Sequence, residues 1–185
     1  QRQMCIRDRI TGIANLIESR DGSTGLHVKN TQNYVQILTK ALREKGMYPD
    51  ILDHNYELNT VKASVLHDIG KIKTPDAILL KPGRLTDEEF EVMKQHTVAG
   101  CEIIDRIIGN VEHEEYVDIA RKIARYHHER WDGTGYPDGL SGEEIPLCAR
   151  IMALADVFDA LYQDRCYKLS VIHISEPTRR RGISY

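Results

Sequence analysis

The sequence predicts an all-α protein. Three observations carry that expectation. Apolar residues recur at spacings of three and four through most of the chain, the period of one helix face. A capping box, Thr86-Asp87-Glu88-Glu89, announces a helix start. No run alternates apolar and polar residues over a convincing strand length, and no internal repeat is present. Helices stacked around one core are the architecture that such a pattern supports.

Taken in order, Val35, Leu38 and Leu42 form an apolar stripe after His27. Lys45-Gly46 closes that helix, because glycine accepts the left-handed conformation of a C-terminal cap. Pro49 stands where a first-turn proline is tolerated. Leu58, Val61, Val65 and Ile69 make the next stripe, broken at Gly70, and Lys81-Pro82-Gly83 reads as a turn. From the capping box a helix is expected to run to about His96, and Ile103, Ile104, Ile107 and Ile108 mark another. Val117, Ile119, Ala120, Ile123 and Ala124 lead into the pair His127-His128. After a glycine-rich loop, Ile151, Leu154, Ala155, Phe158 and Leu161 define a strongly apolar final helix.

A length of 185 residues suits one domain or a little more. With 41% hydrophobic and 29% charged residues the composition is that of a soluble globular protein. No run approaches the roughly 20 apolar residues of a membrane span, and no apolar core follows the charged N-terminus as in a secretory signal. Four scattered cysteines without CxxC spacing argue against a disulfide framework and for a reducing, cytoplasmic location. A net charge of −3 argues against a nucleic-acid polymer as partner. The two ends read differently from the rest. Met4-Cys5-Ile6-Arg7-Asp8 and Ile172-His173-Ile174-Ser175-Glu176-Pro177-Thr178-Arg179 resemble translations of the transposon-end adaptors used in sequencing libraries, read from opposite strands. Residues 1–9 and 170–185 are therefore expected to be foreign to the domain, which occupies residues 10–169.

Chemistry concentrates in histidines and carboxylates. Of eight histidines, His173 lies in the adaptor-like end, and His54 and His113 read as surface residues. His27, His67, His96, His127 and His128 remain. A lone His-Asp pair such as His67-Asp68 caps a helix more often than it binds metal. Five histidines spread over four or five helices fit a structural role poorly. Asp156 and Asp159 lie inside the apolar run MALADVFDAL, where a carboxylate must be paired, neutralised or bound to a cation. Imidazoles with carboxylate oxygens suit iron, manganese, nickel or zinc. The set is unlike a closed tetrahedral structural zinc site and suits two cations. Asp68 has two oxygens and can bridge them, and Lys71 follows three residues later as a point charge for a phosphate oxygen. In the loop WDGTGYPDG, Gly133, Gly135 and Gly139 free the backbone, Pro137 fixes it, and Tyr136 offers a ring and a hydroxyl.

These residues spell a family. HDIGK at 67–71, HHERWDGTGYPDGLSGEEIPLCARI at 127–151 and ALADVFDAL at 153–161 resemble the HD-GYP phosphodiesterases over roughly residues 20–168. PDAILLKPGRLTDEEFEVMKQH at 75–96 and TGLH at 24–27 also fit. The resemblance implies an HD-domain helical bundle and hydrolysis of cyclic di-GMP, a bacterial second messenger, to pGpG, GMP or both. It implies two divalent cations, iron or manganese foremost and nickel or zinc as alternatives. One would take His27, His67, Asp68 and Asp156, and the other Asp68, His96, His127 and His128. Lys71 would contact phosphate, and Arg130, Gly135, Tyr136 and Pro137 would lie on the substrate side. A water would be the nucleophile, so no side-chain nucleophile is required.

Departures from the family pattern carry their own expectations. Some members hold a third metal with a glutamate four residues before the first histidine; Ser23 stands there, so two metals are expected. The usual Thr-Ser-Asp-Arg-Pro-Tyr run appears as Tyr162-Gln163-Asp164-Arg165-Cys166-Tyr167, and the family's final helices have no counterpart beyond Lys168. An N-terminal sensor or receiver domain, common in the family, has no counterpart either; Arg9 to Arg20 reads as the tail of a linking helix. Two other readings remain open: hydrolysis of a different cyclic dinucleotide or a nucleotide phosphate, and binding of cyclic di-GMP or of a diguanylate cyclase through the glycine loop without turnover.

Overall fold

A computed structural model of the protein describes residues 12–20, 26–109 and 113–162. The adaptor-like ends, Ser23 and the run from Gln163 to Tyr167 lie outside the described residues. The helices are α1 (residues 12–20), α2 (His27–Glu44), α3 (His54–Ala63), a short α4 (Asp76–Leu79), α5 (Asp87–Ile108), α6 (Glu114–Tyr126) and α7 (Leu147–Tyr162), with 3-10 turns at Ser64–Leu66, Ile69–Lys73 and Gly142–Glu144. Among the described residues the only strand-like pairing is an isolated bridge between Asp132 and Ser141. The all-α prediction holds.

Local chemistry sets most boundaries. α2 stops at the left-handed Gly46, at φ 66°. The helix after it begins later than Pro49 suggests: Pro49 sits in a turn, and Asp53 caps α3 by accepting from the Tyr56 amide at 2.7 Å. The capping box forms as expected. The Glu89 amide donates to the Thr86 hydroxyl at 3.3 Å, and Glu89 Oε2 accepts from the Thr86 amide at 2.7 Å. The two helices expected around His96 and the isoleucine cluster are one helix of 22 residues, α5. Gly100 within it does not break it. Instead it lets α5 lie close to Ile69-Gly70 and to Ala124 of α6.

The stripe from Leu58 to Ile69 is not one helix. α3 ends at Ala63, and the chain continues in two 3-10 turns with His67-Asp68 between them. Gly70 is dictated by packing, since a Cβ there would sit 1.8 Å from the His96 carbonyl oxygen. Only glycine lets this turn close onto α5.

α6 runs through the centre and packs on α3, α5 and α7, while α2 packs on α3 and α7. Val117, Ile119, Ala120, Ile123 and Ala124 are buried as predicted. α7 turns a different face inward from the one its apolar residues suggest. Ile151, Met152, Ala155 and Asp159 are buried, whereas Leu154, Phe158 and Leu161 are each more than half exposed, at 57%, 52% and 54%. No helix of the described residues is long and apolar enough to cross a membrane.

Candidate metal centre

The helical connections deliver the histidines to one place. His27 opens α2, His67 and Asp68 occupy the turn after α3, His96 lies in α5, and His127 caps the end of α6. All four rings are 1–2% exposed. Asp68 sits among them and divides its oxygens. Oδ2 lies 3.3 Å from His67 Nε2, and Oδ1 lies 3.3 Å from His96 Nε2 and 3.5 Å from His127 Nε2. On the other side, Asp156 Oδ1 is 3.3 Å from His27 Nε2. His128 stands beside His127 and His96, with ring centroids at 4.1 and 5.1 Å.

Each buried ring is held by its other nitrogen. His67 Nδ1 donates to the Ser64 carbonyl at 2.9 Å, His96 Nδ1 to the Met93 carbonyl at 2.6 Å, and His127 Nδ1 to the Ile123 and Ala124 carbonyls at 3.0 and 3.1 Å. His27 Nδ1 donates to Asp159 Oδ2 at 2.6 Å, and Asn30 donates to the second Asp159 oxygen at 3.2 Å. In the neutral imidazoles these bonds leave the lone pair on Nε2 of all four rings. His27, His67, His96 and His127 Nε2 and Asp68 Oδ1 are buried without a hydrogen-bond partner among the described residues. One such atom costs about 1–3 kcal/mol, so five in one cluster need a common acceptor of lone pairs. Neighbouring donors around a cation, each about 2.1 Å from it, stand about 3 Å apart. The observed separations of 3.3–3.5 Å fit that arrangement. Two donor groups follow: Asp68, His96, His127 and His128, and Glu18, His27, His67 and Asp68, each with its ligand atoms within 4.8 Å of one another. The residues present therefore fit two divalent cations that share Asp68.

The electrostatics agree. Burial opposes ionisation of Asp68, but Lys71 and His67 outweigh it and hold its carboxyl well below the usual range. Asp156 is likewise lowered, against its burial, by His27 and His67. Burial pushes the His127 and His128 imidazoles down, so both remain neutral donors. Burial also opposes a charge on His67, yet Asp68 overrides it and lifts His67 to about 9. The field at this point favours a positive charge, which a bound divalent cation would supply in place of the proton.

The other predicted residues divide. Lys71 Nζ is 2.7 Å from Asp68 Oδ2, against the cluster. The Tyr136 ring lies 4.8 Å from His128 and 6.5 Å from His96. Gly135 is required by close approach, since a Cβ would fall 2.4 Å from the Arg130 nitrogen and the Glu129 Cα. Pro137 follows a cis peptide bond after Tyr136. Arg130 is exposed, and its ion pairing is with Asp132 at 3.8 Å rather than with the histidines. His54 and His113 are on the surface, as read from sequence.

Sequence reasoning missed three functional positions. Glu129 is 4% exposed and ties the loop together. Its Oε1 accepts from the Asp138 and Gly139 amides at 2.7 and 3.1 Å, and its Oε2 from the Leu140 amide at 3.0 Å. Asp159, in sequence only an acid within an apolar run, anchors His27. Glu18 lies on α1, 2% exposed. A signal for it existed: Ala14, Ile17 and Glu18 share one helix face, so an acid interrupts an apolar stripe, as Asp156 does in α7.

Comparison with known proteins places the chain. The HD domain family model matches residues 13–175. A cyclic di-GMP phosphodiesterase of Vibrio cholerae is 47% identical over 167 residues, 89% of this chain and 33% of that protein. A second protein from the same organism, a 3′3′-cGAMP-specific phosphodiesterase, is 38% identical over 88% of this chain and 28% of its own length. A cyclic di-GMP phosphodiesterase of Thermotoga maritima is 54% identical over 57% of this chain and 27% of its own. The chain thus spans about a third of the length of the curated relatives it matches. With that match over most of its length, and with a histidine–aspartate pair at the heart of its donor cluster, the chain belongs to the HD domain family.

Proposed function

We propose that this chain carries the catalytic centre of a metal-dependent phosphodiesterase that hydrolyses cyclic di-GMP to pGpG, GMP or both in bacterial signalling. The observation that carries the reading is the division of Asp68, whose two oxygens address His67 on one side and His96 and His127 on the other. That is the geometry of a carboxylate shared by two cations. His27, His67, Asp68 and Asp156 would hold one, and Asp68, His96, His127 and His128 the other, with iron or manganese the favoured ions and nickel or zinc the alternatives. Two such cations supply Lewis acidity to a phosphodiester and to the water that cleaves it.

The chain's own residues do the rest. The bonds to Nδ1 fix each imidazole with Nε2 inward. Lys71 holds Asp68 and places an ammonium where phosphoryl oxygens would gather charge. Tyr136, packed on His128, forms one wall of the substrate site, with Gly135 and Pro137 shaping its backbone. Arg130, exposed on the same loop, would meet an outer phosphate or base. The exposed loop, with Trp131 at 63% exposure, is also the surface that would meet a diguanylate cyclase domain. A sensor or receiver domain preceding the chain and a cytoplasmic location complete the reading.

A second substrate, 3′3′-cGAMP, is favoured by one observation, the relative of that specificity at 38% identity. The test covers both. The chain is loaded anaerobically with ferrous iron or manganese and assayed on cyclic di-GMP, 3′3′-cGAMP and nucleotide monophosphates. Turnover of cyclic di-GMP at the highest kcat/KM is expected. Preferential turnover of 3′3′-cGAMP would reassign the substrate, and no turnover of any cyclic dinucleotide by metal-replete protein would end the proposal.

A further inference from the structure

The family resemblance leaves Glu18 without a role, and the position where some members carry an acidic metal ligand is Ser23. The structure nonetheless brings an acid to the same cluster from further upstream. Glu18 lies on α1, separate from every other element of the centre, and is 2% exposed. One of its carboxylate oxygens falls within 4.8 Å of donor atoms of His27, His67 and Asp68, all mutually within that distance. Donors on opposite sides of a cation with bonds of about 2.0–2.2 Å stand about 4.0–4.4 Å apart. The four atoms therefore need only a slight contraction to share one ion.

α1 is seated by more than this acid. Ala14 and Ile17 are buried at 2% and 3%, and Ile13 lines an apolar cavity with Leu66, Ile69, Ile104, Ile107 and Ile108. Arg20 at its end donates to the Ile72 carbonyl at 3.4 Å and pairs with Asp76 at 2.5 Å. Both partners lie just beyond Lys71. The helix is thus clamped to the segment that follows the His-Asp turn while its acid points at the donors.

We propose that Glu18 is a ligand of the cation addressed by His27, His67 and Asp68, and that the seating of α1 is thereby coupled to occupancy of that position. The inference rests on the two-cation reading above. It makes the two positions chemically unequal. The His27 side has Glu18, Asp68 and Asp156 with two imidazoles, whereas the His96 side has Asp68 with three imidazoles. Oxygen-rich donors favour manganese, and imidazole-rich donors suit iron, nickel or zinc. The coupling is reciprocal: an ion that draws Glu18 inward holds α1 down, and a displaced α1 loosens the ion.

The experiment titrates Mn2+ into the chain, its Glu18→Gln variant and a His67→Ala variant, following free Mn2+ by electron paramagnetic resonance and bound metal by elemental analysis. Amide hydrogen exchange of residues 12–20 is recorded with and without Mn2+. In the unaltered chain, Mn2+ should slow exchange in α1. In Glu18→Gln, one Mn2+ should bind about tenfold or more weakly, the other unchanged, and the slowing in α1 should disappear. If Glu18→Gln binds both ions as the unaltered chain does while His67→Ala loses one, Glu18 is not a ligand and the two-cation reading stands. If neither variant changes binding, that reading itself fails. Exchange in the unaltered chain needs no variant: α1 protection indifferent to Mn2+ overturns the coupling even if Glu18→Gln folds poorly.

Discussion

Each oxygen of Asp68 faces a different set of imidazoles, which makes this side chain the least replaceable in the molecule. Asp68→Ala should abolish hydrolysis and leave fewer than one tightly bound cation per chain by elemental analysis; sustained turnover in a metal-replete variant would contradict the assignment. Asp159 acts at one remove, by accepting a hydrogen bond from His27 Nδ1 at 2.6 Å. Asp159→Asn should weaken metal binding about 10–100-fold, as loss of a ligand's outer partner does, with the fold unchanged by circular dichroism. Unchanged affinity in Asp159→Asn would show that His27 needs no such anchor. At this scale the sequence was highly legible. His27, His67, Asp68, His96, His127, His128 and Asp156, which the structure brings together, stand out in the sequence because metal chemistry restricts residue type. Glu129, Asp159's anchoring role and Glu18 were not, because a carboxylate that binds backbone amides or another side chain leaves no motif.

The element that matters most is the turn between α3 and α4. An unbroken helix through Ile69 would fit the apolar spacing equally well, and the sequence cannot tell a 3-10 turn from an α-helical one by periodicity. The steric fact at Gly70 decides it. Gly70→Ala would put a methyl 1.8 Å from the His96 carbonyl. It should destabilise the chain by about 3 kcal/mol and uncouple the His67-Asp68 turn from α5, seen as a lowered Tm together with loss of bound metal. A variant with unaltered Tm and metal content would refute the packing argument. In the loop, Glu129 satisfies three amides. Glu129→Ala should speed amide exchange at Asp138, Gly139 and Leu140 at least about tenfold, the equivalent of 1.4 kcal/mol; unchanged exchange there would show the loop to be held by other means. The merger of two expected helices into α5 has a similar cause. Gly100 is a helix-breaker by propensity, but close packing against Ile69-Gly70 and Ala124 overrides it.

Across the whole molecule, the metal centre is also a cohesive element. Its candidate donors come from α2, the turn after α3, α5, the end of α6 and α7, so cations bound there would cross-link almost every long helix. Ligand at about a hundredfold excess over Kd adds roughly 2.7 kcal/mol to stability, or roughly 5–11 °C in Tm for a chain of this size. Chelation should lower Tm by that order for each ion removed, and manganese should restore it; a Tm indifferent to both would mean that the cluster holds no metal in solution. The fold class was legible because helical spacing is a property of each segment alone. Which face of α7 turns inward was not. Leu154, Phe158 and Leu161 look like core residues in isolation, yet the cluster draws the Asp156–Asp159 side toward His27.

Three of the imidazoles give their Nδ1 proton to a carbonyl three or four residues earlier in their own chain. Their tautomer is therefore written in backbone geometry, and side-chain change at Met93, Ile123 or Ala124 leaves it intact so long as the helical turn survives. The ring of His27 instead donates to another side chain, Asp159. Descent or design can retune the orientation of that ring through Asp159, while the rings of His67, His96 and His127 stay fixed by the backbone turns that bear them.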